Sequence, residues 1–201
     1  MGIGKIFSIG YAGFHNDVST FCNELMERHV NVIIDVRSSP YSAYFDAFDK
    51  EKLERSLKLQ GIYYRNYARE FGARQENRVF YPNGYLDFKL FAQSEQFLEG
   101  IDRVTTSISR GYRVALMCAE KEPSACHRTI LVSRELAKLG YFVEHILPDG
   151  KSKTQDDIDR ELLKKYHIDP NQVSFFAEED PLEIVYRKQN EEIGYKMEDN
   201  G

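Results

Sequence analysis

At 201 residues, with 42% hydrophobic and 29% charged content, the chain is sized for one medium domain with an appendage and leaves no room for two full domains. The formal net charge of −5 falls entirely after residue 150, the preceding part being balanced, which argues against a general phosphate-backbone binder but leaves room for a local anion site. The odd set Cys22, Cys118 and Cys126 fits reduced thiols, no apolar run is long enough to cross a bilayer, and Met1-Gly2-Ile3-Gly4-Lys5 lacks a signal-peptide layout, so a cytoplasmic location is expected.

Lys5 to Gly10 reads as a first strand, followed by a flexible Gly10-Tyr11-Ala12-Gly13 turn. Asn16 or Asp17 can cap a helix whose apolar residues Val18, Phe21, Cys22, Leu25 and Met26 recur at spacings of three and four. Asn31 to Val36 is a second strand, apolar almost throughout as a strand covered on both faces should be. Asp49 opens a helix that Gly61 stops, Ile62-Tyr63-Tyr64 is a short third strand, and irregular sequence runs to about Asp87. One helical stretch then spans roughly Asp87 to Ser109, Tyr112 to Cys118 is a buried strand, and a helix starts at Pro123 or Ser124 and ends at Gly140. Tyr141 to Leu147 is the expected last strand. Beyond Gly150 an acidic extension, residues 151–201, reads as a helical appendage: one helix from Thr154 to Tyr166, a second after Asp180-Pro181, and disorder from Met197 to Gly201. Strands alternating with helices predict a mostly parallel, helix-covered, Rossmann-like doubly wound α/β sheet in residues 1–150.

Ligands of such sheets bind where strands end and loops converge. Gly10, Tyr11 and Gly13 form one such end, although without the third glycine and acidic partner of a dinucleotide fingerprint. Asp35-Val36-Arg37-Ser38 forms a second: residues 35 and 37 share one side of an extended chain, either as a buried ion pair or with Arg37 and Ser38 holding an anion that Asp35 orients. The third, from Cys118 through Glu120 to Cys126, His127 and Arg128, places thiols, carboxylates, a histidine and an arginine across a strand-to-helix junction. Asp35, Cys118, Glu120 and His127 are the candidate catalytic groups, and Gly10, Tyr11, Gly13, Arg37, Ser38, Arg74, Cys126 and Arg128 the candidate binding groups. Arg128 lies too far from Cys118 for the short loop of a cysteine phosphatase or sulfurtransferase. No metal is expected, because Cys118 and Cys126 are not at paired-ligand spacing and only His127 lies beside them. Cys22 reads as a buried small residue, and His145 as a satisfied core or edge histidine.

Residues 61–85 interleave five tyrosines with Arg65, Arg69, Arg74 and Arg78, a composition suited to stacking on bases and gripping phosphates, or to a long loop that packs its aromatics on the core.

Taken in order, Ser8-Ile9-Gly10-Tyr11-Ala12-Gly13, Asp35-Val36-Arg37-Ser38-Ser39-Pro40, Gly61-Ile62-Tyr63-Tyr64, Cys118-Ala119-Glu120-Lys121-Glu122-Pro123, Cys126-His127-Arg128, Gly140 and His145-Ile146 resemble the domain of unknown function 488 family over roughly residues 5–150. The chain departs from many relatives at Phe71-Gly72-Ala73, where those read Leu-Gly-Gly. The resemblance implies that the motifs share one site and implies no reaction or cofactor. The expected function is an enzyme acting on a phosphate-bearing small molecule or nucleic-acid component. The alternatives are a non-catalytic nucleic-acid or protein binding module using residues 61–85, and a thiol redox sensor pairing Cys118 with Cys126.

Overall fold

The computed structural model describes residues 3–169 and 179–197. Six strands form one sheet in the order β3-β2-β4-β1-β5-β6, with β1 at Lys5–Gly10, β2 at Val32–Asp35, β3 at Tyr63–Asn66, β4 at Val114–Cys118, β5 at Phe142–Ile146 and β6 at Ser152–Thr154. The first five run parallel and only β6 is antiparallel, to β5. Every residue of β2 and β4 is buried, as their unbroken apolar runs require of strands covered on both sides.

Side chains alternate between two cores. Phe7, Ile9, Ile33 and Met117 face helices α1 (Val18–Glu27) and α2 (Lys50–Leu59). Ile6, Ile34 and Leu116 face α5 (Glu95–Ser109) and the helical segment after residue 127, which ends in α6 (Arg134–Lys138). The chain therefore leaves β1 on one face and its neighbour β4 on the other. The carboxyl ends of these two strands splay their loops apart, and a crevice opens there.

Several expected elements take a different form. The turn after β1 is a 3-10 helix, Tyr11–Phe14, before Asp17 caps α1 by accepting from Thr20 N at 2.9 Å. The single helix expected over 87–109 is two: α4 (Phe88–Phe91), capped by Asp87 accepting from Leu90 N, and α5, capped by Ser94 accepting from Phe97 N. A second capping residue inside one apolar pattern restarts the helix. The irregular segment contains a short helix α3 (Ala68–Phe71) and a 3-10 turn at Arg78–Phe80.

The helix expected from Pro123 is also interrupted. Pro123–Ala125 make a 3-10 turn, Cys126 is extended (φ −129, ψ 136), and a π-helical stretch, Arg128–Ser133, leads into α6 with all six of its side chains buried. The segment after Gly150 is more than an appendage. It adds β6 to the sheet, and α7 (Gln155–Lys165) and α8 (Pro181–Ile193) place Ile158, Leu162, Val185 and Tyr186 in the α5-side core. The expected disorder at the C-terminus falls, beyond Met197, outside the described residues. No helix among the described residues is long and apolar enough to cross a membrane.

Candidate functional site

The carboxyl ends of β1, β2 and β4 are drawn together by backbone bonds. Val36 N donates to Met117 O at 3.0 Å, and Ala12 N to Ala119 O at 2.9 Å. Gly10 is required at this junction, because a Cβ there would lie 1.9 Å from the carbonyl oxygen of Glu120. A cavity of about 450 Å³ opens above the junction, with Tyr11, Arg37, Ser38, Cys118, Glu120, His127 and Arg74 on its walls.

Asp35 and Arg37 form the pair expected from their i, i+2 spacing. Asp35 is fully buried and accepts from Arg37 N (3.0 Å), Nε (2.9 Å) and Nη2 (2.6 Å), and the Tyr64 hydroxyl donates to its Oδ2 at 2.6 Å. Arg37 is 4% exposed, lines the cavity, and lies 5.0 Å from the centre of the Tyr11 ring. Burial works against its charge and Asp35 more than restores it, so the guanidinium stays ionised. Its Nη1 has no hydrogen-bond partner. Asp35 itself does not reach the cavity and acts on it only through Arg37.

Arg128 also lies below the cavity wall. It is fully buried, donates from Nη1 to the Glu120 carbonyl oxygen at 2.6 Å and from Nε to Ser8 Oγ at 3.4 Å, and leaves Nη2 unpartnered. The expectation that Arg128 contacts a ligand is revised: the π-helical turn pulls its side chain inward, where it pins the loop that carries Glu120. Gly13 packs against Pro148, which a Cβ would meet at 2.1 Å, and is off the cavity wall.

The remaining chemistry is concentrated beside Arg37. Cys118 Sγ lies 3.8 Å from His127 Nδ1, His127 Nε2 donates to Val36 O at 3.0 Å, and Cys126 Sγ is 2.8 Å from Glu120 Oε2. One donor atom from each of Cys118, Glu120, Cys126 and His127 lies within 4.8 Å of the other three. The spacing argument against a metal therefore loses its premise, since the extended Cys126 turns the chain back and makes Glu120 a fourth neighbour. The two thiols considered as a redox pair are likewise adjacent.

Burial raises the Cys118 pKa well above that of an ordinary thiol, reinforced by Cys126 and the negative charge of Glu120. Burial also opposes ionisation of Cys126, but the hydrogen bond from Cys118 and the charges of Arg128 and His127 outweigh it and bring its pKa well below the ordinary value. Glu120 is raised by burial and by Cys126. His127 is raised because Cys126 and Glu120 overcome the effect of burial. A sulfur and a carboxylate oxygen 2.8 Å apart require one proton between them, so Cys126 and Glu120 titrate as a unit.

Cavity residues that the sequence did not single out include Tyr41, just after the Arg37 motif, and Ile193 and Tyr195 from the C-terminal segment. Arg74, 4.9 Å from the Tyr195 ring centre, is held by donation from its backbone N to Ser38 Oγ at 2.8 Å. Elsewhere in residues 61–85 several aromatic faces turn inward, while Tyr63 stays exposed. Tyr64, Tyr67 and Tyr81 are buried, Arg69 pairs with Glu99, and Arg65 covers Tyr63.

The family described as Domain of unknown function DUF488 matches residues 17–134, a span that contains Asp35, Arg37, Arg74, Cys118, Glu120, Cys126, His127 and Arg128. The chain belongs to the DUF488 family. No curated protein and no solved structure matches it. Within the DUF488 segment Arg37, Arg74, Cys118, Glu120 and His127 thus line one strand-end cavity, while the walls from Tyr11, Ile193 and Tyr195 come from outside the matched span.

Proposed function

We propose that the cavity is the active site of an enzyme acting on a small molecule or nucleic-acid component that carries a phosphate or similar anionic group. Arg37 and Arg74 hold the anion, and Cys118, Glu120 and His127 present the reacting groups beside it. The observation that carries this reading is Arg37 Nη1. A buried guanidinium donor without an acceptor costs about 1–3 kcal/mol, and an anion docking against Arg37, which lines the cavity, would relieve that cost after a small shift of the side chain. Asp35 fixes the fork beforehand, so little side-chain entropy is lost when an anion docks.

The test is a titration with inorganic phosphate and with nucleoside monophosphates, followed by amide shifts. Shifts are expected at Ser38, Ser39, Arg74 and Ala119. Arg74→Ala and Arg37→Lys should weaken binding about tenfold or more, and Arg65→Ala should leave it unchanged. Amides around Arg37 and Arg74 that stay still at millimolar ligand would end this reading.

A further inference from the structure

The Cys118, Cys126 and His127 cluster has a geometry that neither an anion site nor a pair of structural thiols requires. Two sulfurs, one ring nitrogen and the Glu120 carboxylate approach a common centre, each within 4.8 Å of the others. Donors on a tetrahedral zinc ion, with metal–sulfur bonds of about 2.3 Å and metal–nitrogen bonds of about 2.0–2.1 Å, stand roughly 3.5 Å apart. Cys118 Sγ and His127 Nδ1, at 3.8 Å, already stand near that separation. Small side-chain rotations bring the four donors to it.

One further observation points to a cation, and the charge of Arg128 is compatible with it. The Val36 carbonyl can only accept, so the hydrogen at 3.0 Å belongs to His127 Nε2, and in the neutral ring the Nδ1 lone pair is directed at the cluster. A backbone carbonyl holding the far nitrogen is the usual outer-shell partner of a metal-bound histidine. Arg128, fully buried, has no carboxylate partner among the described residues and an unpartnered Nη2, which leaves a buried positive charge in need of a countercharge. Two thiolates, one carboxylate and one divalent cation sum to −1, which Arg128 neutralises.

We propose that Cys118, Cys126 and His127 bind a zinc-class divalent ion, with Glu120 in the fourth position on the cavity side. The thiolates exclude magnesium and calcium, which take oxygen donors. Binding releases to solvent the Cys118 thiol proton, the single proton shared between Cys126 and Glu120 and, from the imidazolium form, the His127 Nδ1 proton, and no electron is transferred. Glu120 is the most exposed of the four donors and lines the cavity, so it is the ligand a cavity-bound molecule would meet. The ion's binding does not depend on the anionic-substrate reading. Its use there would rest on that reading, and metal content and phosphate binding are measured separately.

The test uses the full chain, purified under reducing conditions and reconstituted with Zn²⁺ or Co²⁺. One equivalent of zinc is expected, and the cobalt form should show thiolate-to-metal charge transfer with tetrahedral ligand-field bands. In chelator competition, Cys118→Ser, Cys126→Ser and His127→Asn should each lose more affinity than the roughly 10–100-fold that an outer-shell change costs. Glu120→Gln should keep the metal with a shifted cobalt spectrum, and Cys22→Ser should match the parent. If the cysteine variants do not fold, the spectra of the parent and of Glu120→Gln still decide the matter. Reduced parent protein that takes up less than about a tenth of an equivalent, or cobalt spectra without charge transfer, would overturn the site. So would Cys118→Ser or Cys126→Ser holding zinc as tightly as the parent.

Discussion

Lowering the pH should selectively destabilise this fold through His145. The ring lies fully buried in β5. Gln155 Oε1 can only accept, so His145 Nε2 donates to it at 3.1 Å, and His145 Nδ1 accepts from the Ser8 hydroxyl at 2.7 Å. A second ring proton, on Nδ1, would require the Ser8 hydroxyl, which also accepts from Arg128 Nε, to turn and accept a second hydrogen bond. Burial first, then the nearby charge of Arg128, lowers the pKa from 6.5 to about 3.

A base whose pKa is depressed on folding leaves the unfolded state holding more protons. Its contribution is therefore complete above the unfolded value of about 6.5 and is lost as pH falls toward 3. At pH 5 the loss is about 2 kcal/mol relative to pH 8. Urea unfolding of the parent and of His145→Gln at pH 8, 7, 6 and 5 isolates this contribution, because carboxylate effects common to both cancel. The parent should lose about 2 kcal/mol more than the variant over this range, whatever the variant's stability at pH 8. Parallel slopes, or a His145 ring resonance that titrates near pH 6.5 in the folded protein, would refute the reasoning.

Two further predictions concern the scaffold. Asp35→Asn removes the countercharge under Arg37 and should cost about 3–5 kcal/mol in urea unfolding, a loss under about 1 kcal/mol being incompatible with the buried pair described. Gly10→Ala drives a Cβ into the Glu120 carbonyl and should separate the ends of β1 and β4, abolishing a cooperative melt. Gly61→Ala, in open space but at φ +72, should cost only about 1–2 kcal/mol, and comparable melts for the two variants would contradict the close approach at Gly10.

The parts of this molecule that could be read from its sequence are those governed by local periodicity. β2 and β4 are recognisable because strands covered on both faces need unbroken apolar runs, and Asp35 meets Arg37 because residues two apart on an extended chain share a side. Cys118, Glu120, Cys126 and His127 could be grouped at one junction, but their approach to a common centre was not legible, because it depends on one extended residue, Cys126, between two helical turns. Read as a single helix from Pro123, the same residues do not fold back onto Glu120. Tyr195 and Ile193 reach the cavity only through the packing of α8 and a bridge between Tyr85 and Lys196, and no local pattern announces such a contact. β6 was missed because three residues are too few to show alternation.

The charges in the strand-end motifs divide by depth, a division that spacing along the sequence does not reveal. Asp35 and Arg128, of opposite charge, are both 0% exposed. Each instead holds a loop: Asp35 through three nitrogens of Arg37, Arg128 through the Glu120 carbonyl oxygen. Burying such groups is costly, and a merely structural site could replace them with apolar side chains at little loss. What the charges supply is fixed position, with Arg37 and Glu120 set on facing parts of one cavity before anything binds. Among the described residues Arg128 has no carboxylate partner, and its Nη2 has no acceptor. Its charge is one of the causes that lower the Cys126 pKa, so the two buried groups support each other.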